Sequence, residues 1–107
     1  MLENNQEKSI MQQIIQQIIE SRMHALTHSI LKAKTDKQVE RLLNSFIHEN
    51  FFVTAKGKPA AKSTIKRKIK KLRNYLDSLI FLNAEPSLIK DGVHYSVIYL
   101  KEQEDEL

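Results

Sequence analysis

The chain has no cysteine and no tryptophan, only two glycines and two prolines in 107 residues, and no apolar run longer than four. Each scarcity excludes something. Without cysteine there is no disulfide and no thiolate metal site, and a reducing compartment is the natural expectation. So few glycines and prolines leave little material for tight turns, which favours long helices. A membrane-spanning helix needs about 20 apolar residues in succession, and the polar opening MLENNQEKS lacks the apolar centre of an export signal. A cytoplasmic protein with no membrane partner is therefore expected.

Catalytic signatures are missing as well. There is no glycine-rich phosphate loop, no nucleophile elbow, no HExxH, no clustered pair of carboxylates and no thiol for a histidine to activate. The expectation is a protein that is not an enzyme and uses no cofactor. Glu20, His24 and His28 stand four residues apart, a spacing at which two imidazoles can share a metal. A third histidine would have to come from His48 or His94 on another element. A polar interhelical or exposed surface explains these residues more simply, and no metal is expected.

What is present is an ordinary globular composition, 41% hydrophobic and 28% charged, with enough chain for one domain over 1–107. The charge is unevenly placed. Lys56, Lys58, Lys62, Lys66, Arg67, Lys68, Lys70, Lys71 and Arg73 are nine of the 17 basic residues, and no acid interrupts them. The other eight face all 13 acidic residues, so the remainder carries about −5. A local block of one sign steers a polyanion, whereas net charge mostly governs solubility.

Periodicity lays out the elements. Ile10, Ile14, Ile15, Ile18, Ile19, Met23, Leu26, Ile30 and Leu31 recur at helical spacing and predict a helix over 7–33. It would be about 40 Å long at 1.5 Å per residue, more than a small domain needs. That length makes it the candidate surface for a homodimer or a protein partner. Thr35-Asp36-Lys37-Gln38 fits a capping box, and Val39, Leu42, Leu43, Phe46 and Ile47 continue as a core-facing helix to about Asn50. Phe51 to Thr54 reads as a short strand and Ala55 to Lys62 as a loop. A third helix is expected from an N-cap at Ser63 to about Phe81, with Ile65, Ile69, Leu72 and Leu76 as its buried stripe.

The period then changes. Val93, Tyr95, Val97 and Tyr99 alternate with their neighbours, and Asp91-Gly92 is a hairpin signal between them and Pro86 to Lys90. The expected fold is mostly α with a C-terminal β-hairpin, followed by an acidic solvated tail over 102–107.

On the third helix Lys66, Lys70 and Arg73 share one stripe and Arg67 with Lys71 the next, both away from the apolar one. Mutual repulsion along such a face is relieved by a polyanion, and phosphates do this with release of counterions. Solubility is the blander account of a charge run, and a membrane-surface helix is disfavoured because the apolar side is committed to the core. The sequence STIKRKIKKLRNYLDSLI, following two helices and preceding a hairpin, resembles the recognition helix of winged-helix (helix-turn-helix) DNA-binding domains. The resemblance covers 35–101 and lies in element order. It implies a three-helix core plus wing, with Ser63, Thr64, Lys66, Arg67, Lys70 and Lys71 toward the major groove or its phosphates and Lys90 at the wing tip. The block is mostly lysine, a point charge, so phosphate contact is expected over base readout. Tyr95 and Tyr99 on one strand face would offer a stacking platform for single-stranded nucleic acid, although core or edge tyrosines are commoner.

The function expected is a small DNA-binding regulator or replication accessory factor, with single- or double-stranded DNA as target. Its site comprises Lys56, Lys58, Lys62, Ser63, Thr64, Lys66, Arg67, Lys70, Lys71, Arg73 and Lys90. The alternative is a small interaction module or inhibitor that docks on a partner, or self-associates, through the N-terminal helix.

Overall fold

The computed structural model describes the backbone of residues 2–54, 56–82 and 91–107, and the side chains of 9–54, 56–81 and 91–107. Helix α1 spans Leu2–Lys32, α2 Asp36–Phe51, α3 Lys62–Leu82 and α4 Asp91–Glu106. Among the described residues there is no strand, only an isolated antiparallel bridge between Val53 and Pro59. The fold is all-α, so the expected hairpin and wing are overturned, and with them the winged-helix architecture. Pro86 to Lys90, the other half of that hairpin, lies outside the described residues.

Residues 93–100 are helical for a reason visible in their burial. Val93, Ser96, Leu100 and Glu104 are the buried positions of α4, and their spacing of three, four and four is helical. The Asp91-Gly92 pair serves a different purpose from a turn. Asp91 sits in the first turn of α4, where the helix dipole favours a carboxylate. Gly92 is needed for close approach, since a Cβ there would stand 3.2 Å from the Ile30 carbonyl oxygen and 3.3 Å from its Cγ2. The absent side chain lets α4 rest on the end of α1. Ser96, fully buried, donates its hydroxyl proton to the Gly92 carbonyl at 2.6 Å, so its polar atom is satisfied within the helix. The acidic residues expected as a tail continue α4 as far as Glu106.

The earlier helices follow their local signals closely. Thr35 caps α2 in an extended conformation, its hydroxyl accepting from the Gln38 amide at 3.2 Å. Gln38 reaches back to accept from the Lys34 amide at 2.7 Å, one residue before the position a standard capping box would use. Helix α3 starts at Lys62, one residue before the expected cap at Ser63, and the Ile65 amide donates to the Ala61 carbonyl at 3.0 Å. The α2–α3 connection is held by its own backbone. Thr54 N–H bonds to Lys58 O at 2.8 Å, Gly57 N–H to Thr54 O at 2.9 Å and Ala60 N–H to Phe52 O at 2.8 Å. Gly57 takes φ +78°, the left-handed value that suits glycine.

The core is one cluster: Met23, Leu26 and Ile30 from α1, Val39, Leu43, Phe46, Ile47 and Phe51 from α2, Ile69, Leu72 and Leu76 from α3, and Val93 and Leu100 from α4. The α3–α4 pairing is the most extensive. Among the described residues, α1 joins the core only through its second half. Its 31 residues reach about 46 Å at 1.5 Å per residue, close to the 50 Å long axis of the molecule.

Candidate nucleic-acid interface

Helix α3 carries seven basic residues, all within Lys62–Arg73, and one acid, Asp77. Its buried side is Ile69, Leu72 and Leu76, with Ile65 half-buried at the same stripe. Lys62, Ser63, Lys66, Arg67, Lys70 and Lys71 are exposed and Thr64 is half-buried; Lys62 begins the apolar stripe at the open end of the helix, and the others lie off that stripe over about two turns. No ion pair joins Lys62, Lys66, Arg67, Lys70 or Lys71 to a carboxylate among the described residues. The self-bonded connection places Lys56 and Lys58, both exposed, ahead of the first turn of α3. A cationic ridge therefore runs from this loop along the first half of the helix.

Its placement along the helix runs against helix electrostatics. The N-terminal end of a helix carries partial positive charge and prefers acids, at about 0.3–1 kcal/mol per well-placed group. Helix α3 has no acid in its first turn and no base in its last. Lys62 lies in the first turn, where it opposes the dipole, and the lysines and arginine that follow repel one another.

Arg73 is set apart from this group. Its Nε donates to Glu104 in a close ion pair, and its Nη2 donates to the other carboxylate oxygen at 3.4 Å. The Glu104 side chain is 4% exposed and that of Arg73 19%, so the pair clips α4 to α3 and Arg73 faces α4. Its guanidinium is held protonated even more firmly than usual, chiefly by the hydrogen bond to Glu104. Lys90 lies outside the described residues.

Tyr95 and Tyr99 take a different role from the expected stacking platform. They sit one turn apart on α4 with rings stacked at 6.2 Å. The Tyr95 hydroxyl donates to the Glu40 carboxylate, and the Tyr99 hydroxyl donates to Asn44 Oδ1 at 2.8 Å. Both residues bind α4 to α2. The hydrogen bond to Glu40, followed by partial burial and the charge of that carboxylate, pushes the Tyr95 phenol up to about 12.

Sequence spacing did not reveal a groove of about 390 Å³ beside the ridge, where Arg67, Lys68 and Lys71 border an apolar floor of Ile15, Ile19, Met23 and Phe51. The half-buried Lys68 belongs to this groove, and nothing in the α3 periodicity marks a neighbour on α1. A larger cavity of about 640 Å³ lies between α2, α3 and the end of α4, and no lysine or arginine lines it. His24 and His28 are exposed, with their Nε2 atoms 3.2 Å apart, and no cluster of three or more metal-ligating side chains occurs among the described residues. No described helix is long and apolar enough to cross a membrane.

No known protein family, no curated protein and no solved structure matches the chain. The reading of the site rests on its own chemistry.

Proposed function

We propose that the protein is a non-enzymatic nucleic-acid-binding protein, a small regulator or accessory factor that grips the phosphate backbone of DNA with the ridge on α3. The observation that carries this reading is the cluster of exposed cations on the first half of α3, with no ion pair to a carboxylate among the described residues to offset their mutual repulsion. A polyanion relieves the mutual repulsion of Lys62, Lys66, Arg67, Lys70 and Lys71, and favourably meets the positive end of the α3 dipole. Lys56 and Lys58 extend the same track. With no wing and with lysine dominant, the contacts fall on phosphates, so binding is expected to be weakly sequence-dependent.

Fluorescence anisotropy with labelled single- and double-stranded oligonucleotides over a salt series tests this. About five or six phosphate contacts predict a log–log slope near −5 on duplex and a loss of affinity of roughly a thousandfold between 50 and 200 mM salt. Changing Lys66, Arg67 and Lys70 together to Glu should abolish binding while leaving the helical circular dichroism intact, because all three are exposed. A folded protein that binds neither strand form at low salt, or a triple variant that binds as well as the parent, overturns the proposal.

A further inference from the structure

Ile10, Met11, Ile14, Ile15 and Ile18 are 56, 62, 50, 47 and 46% exposed, all on the half of α1 that precedes its packed residues. Scattered exposed aliphatics are normal, but a cluster on one short length of helix marks an interaction surface. Gln12, Gln13, Gln16 and Gln17 fill the gaps, so residues 10–19 contain no charge. Arg67, Lys68 and Lys71 stand only at the α3 edge of this surface, beside Ile15.

The order of these residues has a symmetry. An apolar pair, a Gln pair, an apolar pair, a Gln pair and an apolar pair read identically in both directions about the bond between Ile14 and Ile15. A two-fold interface between antiparallel helices requires that relation, since residue i meets j and j meets i. We propose that a second copy of this chain docks on α1, antiparallel and centred between Ile14 and Ile15, so that Ile14 faces Ile15 and Met11 faces Ile18.

The spacing also sets the manner of packing. Ile10-Ile14-Ile18 and Met11-Ile15-Ile19 are neighbouring ridges with a repeat of four. Ridges of that kind on two helices interdigitate at a crossing angle near −50°, whereas a coiled coil needs a repeat of about 3.5. Such a crossing makes contact over only a few turns, which matches the short length of the pattern. At 3.6 residues per turn Ile14 lies roughly 180° and Ile18 roughly 140° around the helix from Met23. Ile15 and Ile19 lie only about 80° and 40° from Met23 and border the groove toward α3, so the docking face centres on Met11, Ile14 and Ile18 and is edged by that groove. Five half-exposed side chains per copy offer less than the ~800 Å² per partner of a standard interface. The association is expected to be weak, with Kd on the order of 10–100 μM.

Sedimentation velocity of the full chain from about 1 μM to 1 mM brackets that range. A reversible monomer–dimer equilibrium is expected. Ile14→Lys and Ile14→Glu should each weaken it by about tenfold or more, because like charges meet beside the two-fold axis, and a mixture of the two variants should associate more tightly than either alone. The absence of native cysteine allows a second readout. Ile14→Cys or Ile15→Cys should give a disulfide-linked dimer on oxidation and Ile10→Cys should not, since the two residues 10 would stand about 13 Å apart along the axis. A chain that stays monomeric at every concentration overturns the proposal. So does equal cross-linking at 10 and 14, which signifies parallel helices, or a mixture that fails to associate.

Discussion

Two side chains on α4 show how a polar residue can be claimed by the fold. Glu104 takes Arg73 out of the cationic ridge, and Tyr95 is fastened to the Glu40 carboxylate. Burying one half of such a pair alone is costly, because the remaining charge would be left without a partner. Tyr95 gives this a pH signature. Its phenol is raised from 10.0 to about 12, first by the hydrogen bond to Glu40, because a phenolate would lose that bond and face a carboxylate. A raised pKa means that the folded state keeps a proton that the unfolded chain has already released. The stabilisation is thus complete below pH 10.0 and is lost as pH rises through about 12. Thermal unfolding across that window should fall more steeply for the parent than for Tyr95→Phe. Equal slopes in parent and Tyr95→Phe would remove the Glu40 bond from the account.

Among the elements, α4 can be tested against the strand that its alternating residues suggest. Ile98 and Leu100 would share a face of a strand, whereas on a helix they lie roughly 200° apart. Leu100 is fully buried and Ile98 is 59% exposed. Leu100→Ala should therefore cost about 2–5 kcal/mol and Ile98→Ala no more than about 0.5 kcal/mol, measured by urea denaturation. Similar costs at both positions would favour the strand. The earlier helices were legible because their determinants are local: Thr35 and Gln38 cap α2 within a single turn, and the stripe of α3 requires only spacing. The segment VHYSVIYL satisfies both periods, and the second use of Gly92, close approach to Ile30, depends on a residue far away in sequence. The candidate site divides along the same line. Lys66, Arg67, Lys70 and Lys71 were legible from helical spacing, while the engagement of Arg73 depends on a partner 31 residues away and that of Tyr95 on one 55 away.

Over the whole molecule, the pairing of α3 with α4 places opposite charges side by side. Glu106 lines a cavity together with Ile65 and Ile69, and Asp105 lies near enough to act on Arg73. The acidic end of α4 therefore stands beside the first half of α3, and its carboxylates oppose any polyanion that approaches the ridge. Glu104 has a structural task and should be left alone. Glu102, Asp105 and Glu106 are exposed, so changing all three to Gln should spare the fold and raise oligonucleotide affinity. Because the Debye length is about 10 Å at 0.1 M salt and longer below it, the gain should be several-fold at 50 mM and shrink toward 200 mM. Anisotropy titrations of parent and triple variant at the two salt concentrations measure it. A gain that did not depend on salt would point to a change in structure, and no gain at all would place the bound phosphates beyond reach of α4, toward Lys56 and Lys58. The salt dependence of the variant thus locates the polyanion along the ridge as well as detecting it.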